Sequence, residues 1–147
     1  MKQNTIAYID IRVFSHATED ENKVIEAVKK VLPSNYLEDI VFKKHTLSGH
    51  HKNLIAFFET RIKNKEVLKA IVENFASHLN TLDKEELRWK INEYTEKGSL
   101  YMRLDKQAAF QNEFRLDQVD PIRIRIRFKK NKIEDIAKIC QEFGIIE

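Results

Sequence analysis

The chain has 147 residues, of which 26 are Lys or Arg and 23 are Asp or Glu, so its formal net charge is only +3. An apolar fraction of 42% is enough for a buried core, and this length predicts a single domain over residues 1–147. Three widely separated glycines exclude glycine-rich phosphate loops, and one cysteine excludes both an intrachain disulfide and a cysteine-cluster zinc site.

The N-terminus carries no recognisable targeting signal. Residues 1–13 alternate polar and apolar side chains, whereas a signal peptide needs an uninterrupted apolar stretch. No later run approaches the roughly 20 apolar residues of a membrane-spanning helix. We therefore expect a soluble, cytoplasmic protein.

The first third of the chain predicts a strand followed by a helix. Residues 5–14 alternate so that one face is apolar and the other carries Tyr8, Asp10 and Arg12. Thr18 and Glu21 have the spacing of a capping box, which predicts the start of a helix that Pro33 ends.

Two strands are predicted next, over residues 40–46 and 53–61, with a polar loop between them. The apolar run 54–58 indicates an interior strand that is covered on both faces. The loop contains His50 and His51, and adjacent histidines point in different directions, so they do not readily share one metal ion. We expect both to be exposed and metal-free, in a loop that either contacts a ligand or is simply polar.

The remaining pattern alternates helices with strands. In chain order it predicts a helix over 64–79, a shorter helix over 81–91, a strand over 100–104, a short helix from 106, a strand over 122–128 and a helix over 133–143. Asp105 is placed to cap the short helix, and Gly144 to end the last one. Trp89 falls at helical spacing in the second of these and is expected to pack. Together these elements predict an α+β fold: a single mixed, mostly antiparallel sheet of about five strands, with helices packed mainly on one face.

The strongest functional signal is the basic strand over 122–128. Alternation places its isoleucines on the core face and Arg123, Arg125, Arg127 and Lys129 on the other face, with Lys130 following. Basic residues then recur every 6.6–6.8 Å or so, close to the spacing of neighbouring phosphates on a nucleic-acid strand. Residues 121–132 hold six basic and no acidic side chains, so the other 135 hold 20 basic and 23 acidic ones.

This charge polarisation favours an anion-binding surface. Two alternatives stay open. Acidic residues on a neighbouring strand could neutralise the arginines, or the basic strand could lie at an edge of the sheet and keep that edge soluble.

A second candidate segment runs from the strand over 100–104 into the following helix. Tyr101 and Arg103 share the non-core face of that strand, where a ring can stack on a base and a guanidinium can pair with phosphate. Lys106 and Gln107 lie in the first helical turn, which favours an anion. The alternative is an ordinary strand-to-helix junction with Tyr101 half buried.

The sequence gives little support for catalysis and none for a cofactor. There is no Gly-x-Ser-x-Gly nucleophile elbow, and Cys140 lies on the apolar stripe of the last helix, where a buried and inert thiol is expected. Acidic residues are scattered, and no pair is placed for acid–base chemistry.

Three segments carry a resemblance to a known family. They are Gly49–Asn53, Leu100–Phe110 and Asp120–Phe128, and their order and the chain length also agree. The chain resembles a small archaeal family of predicted RNA-binding proteins that are labelled as exosome-associated. The resemblance implies a two-layer fold like that of the large-subunit ribosomal protein five, and RNA binding in the archaeal cytoplasm without an established catalytic activity.

The sequence therefore predicts a non-catalytic RNA-binding protein that is linked to RNA processing or degradation. The predicted contacts come from Arg123, Arg125, Arg127, Lys129, Lys130, Tyr101, Arg103, Lys106, Gln107, His50 and His51. One rival is a protein-interaction module that docks on a larger RNA-processing complex. Another is a small hydrolase or nuclease that uses one of the two loop histidines.

Overall fold

The fold has two layers, a six-stranded antiparallel sheet and a layer of helices on one of its faces. In the computed structural model of the protein, residues 5–48 and 54–147 are described. None of the helices in these two stretches is long and apolar enough to cross a membrane. The predicted α+β class, with one sheet and helices packed on it, is confirmed.

The strands are β1 (Ile6–Ser15), β2 (Lys43–Ser48), β3 (Leu54–Ile62), β4 (Thr95–Glu96), β5 (Ser99–Leu104) and β6 (Ile122–Phe128). Their order across the sheet is β2-β3-β1-β6-β5-β4, and every neighbouring pair is antiparallel. The first and last strands along the chain therefore lie side by side at the centre.

The helices are α1 (Glu21–Lys30), α2 (Lys65–His78), α3 (Thr81–Trp89), α4 (Ile91–Tyr94), α5 (Lys106–Phe110) and α6 (Ile133–Phe143). A 3-10 helix over Ser34–Asp39 precedes β2. It extends beyond Pro33, and for that reason β2 begins three residues later than predicted. The two-residue strand β4 was not predicted, since so short a segment has no readable alternation.

Strict alternation on the two central strands creates the core. Ile122, Ile124, Ile126 and Phe128 are buried, and in β1 the side chains of Ile9, Ile11 and Val13 are also buried on the same side of the sheet. This confirms the face assignment predicted for both strands. It also fixes the opposite face, which carries every arginine of β6.

Helix boundaries follow side-chain caps. Asp20 caps α1 by accepting a hydrogen bond from the amide of Asn22 (2.9 Å), so the predicted capping box from Thr18 was wrong. Asp105 caps α5 as predicted, accepting from the amide of Gln107 (2.9 Å). Gly144 ends α6 in the left-handed region, at φ +83°.

Two predictions about apolar side chains need correction. Strand β3 is interior, between β2 and β1, but only one of its faces is covered by helices. Phe58 on that face is buried, whereas Phe57 on the other face is half-buried. Trp89 was expected to pack but is 84% exposed, because it lies at the end of α3 and points away from the core that buries Leu87.

Candidate nucleic-acid interface

The sheet has one face that the helices leave uncovered, which we call the open face. It consists of the outward-pointing side chains of five strands. Its members are Tyr8, Asp10, Arg12 and Phe14 of β1; Lys43, His45 and Leu47 of β2; Ile55, Phe57, Glu59 and Arg61 of β3; Ser99, Tyr101 and Arg103 of β5; and Arg123, Arg125 and Arg127 of β6. Seven of these are Lys or Arg and two are acidic.

The basic strand lies at the centre of this face. β6 pairs with β1 on one side and β5 on the other, so it is not an edge strand. Within residues 5–48 and 54–147, no carboxylate forms an ion pair with Arg123, Arg125 or Arg127. The edge-strand alternative is therefore wrong, and the carboxylate directly opposite Arg125, that of Asp10 on β1, bonds to Arg61 instead.

The three arginines of β6 differ in their surroundings. Arg125 donates to the hydroxyl of Ser99 (3.0 Å), and its guanidinium lies 5.6 and 5.7 Å from the ring centres of Tyr8 and Tyr101. Cation–π contacts of this kind hold a guanidinium without neutralising its charge. Arg123 is exposed.

Arg127 is hydrogen-bonded to the turn between β4 and β5. It donates to the carbonyl of Lys97 and to the side chain of Asn131 (3.4 Å). Gly98 in that turn has φ +86°, and a Cβ there would collide with the Arg127 guanidinium. Because Gly98 has no Cβ, it leaves the space that the Arg127 guanidinium occupies.

A second set of arginines runs across the strands. Arg12 of β1 is opposite Arg123, and Arg123 is opposite Arg103 of β5, so three guanidinium groups share one row. We call this the cross-strand row. Arg12 has a loose ion pair with Glu59 (3.8 Å), and Arg103 contacts the amide oxygen of Gln118 at 3.5 Å.

The most buried acidic group of the open face is held by an arginine from β3. Arg61 donates from Nε and Nη2 to the two carboxylate oxygens of Asp10, at 2.7 and 2.9 Å. Asp10 is only 7% exposed, and the same guanidinium lies 3.9 Å from the ring centre of Tyr8. The charge of Asp10 is therefore balanced within the sheet.

Aromatic side chains extend the open face toward β2. The rings of Phe14 and Phe57 stack with centres 5.0 Å apart, and His45 lies 5.6 Å from Phe57. Both phenylalanines are half-buried. Rings in such a position offer a surface on which bases could stack.

A concave pocket lies where the arginines of three strands meet. Its volume is about 270 Å³, and we call it the arginine pocket. The residues that line it are Asp10, Arg12, Tyr101, Met102, Arg103, Arg123, Ile124 and Arg125. It combines four guanidinium groups with one aromatic ring.

The other predicted site residues are distributed over the molecule. Lys129 and Lys130 are exposed just beyond the end of β6. Gln107 is exposed in the helix layer, beside α1. His50 and His51 lie outside the described residues, although β2 and β3 on either side of their loop are adjacent and antiparallel as predicted.

Lys106 requires a correction, because it is buried and fully engaged. It is 7% exposed, and its ammonium donates to the carbonyl of Phe14 (2.8 Å) and pairs with Glu19 (3.0 Å) and Asp120 (2.9 Å). His16 contacts the same Asp120 at 3.0 Å. The lysine joins three segments of chain and is therefore not part of the candidate interface.

Three side chains around Lys106 could in principle hold a metal ion. Ligand atoms of His16, Glu19 and Asp120 all lie within 4.8 Å of one another. The Lys106 ammonium already bonds to both carboxylates and offsets one of their two negative charges. Burial raises the pKa of Asp120, but hydrogen bonds from Lys106 and His16 outweigh it and lower that pKa below its usual value of 3.8.

The structure adds residues that the sequence pattern did not assign to the site. Arg12 was placed on the outer face of its strand by alternation, and only the pairing of β1 with β6 shows that it belongs beside Arg123. No sequence pattern placed Arg61, Phe57 or His45 on the same face as the arginines of β6. The strands that carry them were predicted, but the order of those strands in the sheet was not.

Cys140 is buried as predicted, and burial raises the pKa of its thiol to about 12. The thiol is therefore protonated at neutral pH and is not a nucleophile.

The comparison with protein families identifies the family to which the chain belongs. A family model described as RNA binding matches residues 8–128, and the chain belongs to that family. A protein of Pyrococcus abyssi named as an RNA-binding protein is 33% identical over 141 residues, covering 92% of this chain and 91% of that protein. A protein of Methanocaldococcus jannaschii, named as uncharacterized, is 32% identical over 146 residues, covering 92% of this chain and 97% of that protein.

Solved archaeal structures share the fold. A protein of Archaeoglobus fulgidus from the family DUF54 superposes with a TM-score of 0.78 at 24% identity, covering 94% of this chain and 99% of its own. A DUF54 protein of Methanothermobacter thermautotrophicus superposes with a TM-score of 0.72 at 28% identity, covering 93% and 99%. The two-layer arrangement is therefore common to these proteins.

The Lys106 cluster leads to a prediction about stability. Lys106→Met should lower the free energy of unfolding at pH 7 by about 1–3 kcal/mol, because Glu19, Asp120 and the carbonyl of Phe14 lose a buried hydrogen-bond donor. An Asp with a lowered pKa stabilises the fold above its unfolded pKa, and this contribution is lost as the pH falls through the lowered value. The difference between parent and variant in urea unfolding should therefore shrink from pH 7 to about pH 3.

Lys23→Met is the matched control, because Lys23 is an exposed lysine of α1 near the same cluster. It should change stability by less than about 0.5 kcal/mol at either pH. An equal loss in the two variants, or a loss for Lys106→Met that does not depend on pH, would contradict this account.

Proposed function

We propose that the open face binds RNA and that the protein acts without catalytic chemistry. The observation that carries this proposal is the central, uncovered position of the basic strand. The like charges on this interior strand repel one another, and the surrounding carboxylates pair elsewhere. An extended polyanion would relieve that repulsion.

The contacts divide into two physical kinds. Arg123, Arg125 and Arg127, with Lys129 and Lys130 beyond them, would neutralise phosphates regardless of sequence. Tyr101, with Arg103 beside it, would stack on a base and pair with the backbone. Both kinds lie on one surface, as RNA binding by a sheet requires.

The family assignment supports the same conclusion. The matching family model is described as RNA binding, and the relative from Pyrococcus abyssi carries that name. The finer implications stay predictions: a link to the exosome, a fold like that of the large-subunit ribosomal protein five, a cytoplasmic location, and RNA contacts from Gln107, His50 and His51.

A second candidate function is docking on a protein of a larger RNA-processing complex. The observation that favours it is on α3, where Leu82 is 77% exposed and Trp89 is 84% exposed. Exposed aromatic residues are enriched in protein interfaces. Binding that depends on Trp89 but hardly on salt would identify this second function, whereas phosphate contacts give a steep dependence on salt.

The basic strand can be tested by charge removal. Replacing Arg123, Arg125 and Arg127 with alanine should weaken binding to single-stranded RNAs of all sequences alike. The slope of log affinity against log salt should also fall, by about 0.7 for each phosphate that the variant no longer neutralises. Fluorescence anisotropy from about 50 to 300 mM salt measures both quantities.

A matched control removes the same charge from the helix layer. Lys29, Lys69 and Lys138 are exposed on α1, α2 and α6, and their triple alanine variant loses three positive charges as well. It should keep nearly the parent salt slope. Equal behaviour of the two triple variants would show that net charge, and not the open face, governs binding.

Tyr101 provides a test of stacking. Tyr101→Ala should weaken binding by about 1–3 kcal/mol with little change in salt slope, because it removes a ring and no charge. Tyr101→Phe keeps the ring and should bind nearly as the parent does. The ring is half-buried, so thermal unfolding must be compared as well. Weakened binding that only follows a large fall in Tm would assign Tyr101 to packing.

A further inference from the structure

Two rows of arginines cross at Arg123, and their spacings differ. Along β6, Arg123 and Arg125 are two residues apart, about 6.6–6.8 Å. Across the strands, directly opposite residues have Cα atoms about 4.5–5.5 Å apart. The row along β6 therefore suits successive phosphates, whereas the cross-strand row brings three guanidinium groups close enough to share one anion.

The cross-strand row is costly without such an anion, because like charges directly opposite each other destabilise a sheet. Arg12 finds Glu59 only at 3.8 Å, and Arg103 has only the neutral side chain of Gln118. In the described ranges 5–48 and 54–147, no carboxylate pairs with Arg123. The positive charge of the row is thus largely uncompensated.

The arginine pocket gathers this charge in a concave site. Arg12, Arg103, Arg123 and Arg125 all line it, and the carboxylate of Asp10 in its wall is already paired with Arg61. Tyr101 forms part of the wall. A pocket of about 270 Å³ has room for one phosphate group and part of the attached nucleotide.

We propose that the arginine pocket binds the terminal phosphomonoester of an RNA strand. This inference rests on the proposed RNA-binding function and adds the class of RNA. An internal phosphodiester carries one negative charge, whereas a monoester carries about 1.5–2 at pH 7 and offers three terminal oxygens. Several forked guanidinium groups match such a group better than they match a diester.

The geometry also gives the strand a path away from the pocket. With the terminal phosphate among the four arginines, the next phosphates would follow β6 toward Arg127 and then Lys129. Tyr101 in the pocket wall is placed to contact the terminal nucleotide.

The experiment compares one short single-stranded RNA with different ends. The forms carry hydroxyls at both ends, a 5′-phosphate, a 3′-phosphate, or the same phosphates blocked as methyl esters. Affinity is measured by calorimetry at about 0.1 M salt, which avoids an end label. One of the two phosphate ends should bind about tenfold tighter than the hydroxyl form, as expected for added charge-assisted hydrogen bonds.

The methyl esters and the protein variants locate the effect. Blocking the favoured phosphate should remove most of the gain, because it leaves a single charge. Arg103→Ala should bring the gain below about threefold. Lys138→Ala, from the exposed surface of α6, should keep the whole gain.

The outcomes separate this inference from the function on which it rests. If all forms bind equally, end recognition is overturned and RNA binding stands. If a phosphate end is preferred equally by Arg103→Ala and the parent, the site is not the arginine pocket and the inference is overturned. If no form binds even at 50 mM salt, both the proposed function and this inference fail.

Discussion

The structure depends on one constraint, the strict alternation of β6 between two flanking strands. Its apolar side chains must be buried for the sheet to hold its helix layer, and Ile122, Ile126 and Phe128 are fully buried. A strand in this position cannot slip by one residue without exchanging its two faces. The burial of the isoleucines therefore forces Arg123, Arg125 and Arg127 into a row on the open face.

The open face accommodates this charge by holding the arginines with contacts that do not neutralise them. Arg125 lies between the rings of Tyr8 and Tyr101, and Arg127 bonds to the backbone of the β4–β5 turn. The carboxylates on this face bond to side chains of other strands: Asp10 to Arg61, and Glu59 to His45. The result is an ordered but positively charged surface, in keeping with membership of an RNA-binding family.

Periodicity was enough to predict what depends on neighbours in sequence. It gave the faces of β6 and β5, the cap at Asp105 and the end of α6 at Gly144, because each of these is decided within a few residues. It could not give what depends on strand order. Arg12 lies beside Arg123 only because β1 pairs with β6. Lys106 is buried because it bonds to Asp120, fourteen residues further along the chain, and to Glu19, 87 residues earlier.

The most direct test of the account is to observe which side chains respond when RNA binds. Arginine Nε–H and tryptophan indole N–H signals can be followed by NMR while a short single-stranded RNA is added to ¹⁵N-labelled protein. The account predicts that signals of Arg12, Arg103 and Arg123 shift, while those of Arg88 and Trp89 on α3 do not. Shifts confined to α3, with the arginines of the open face unchanged, would contradict it.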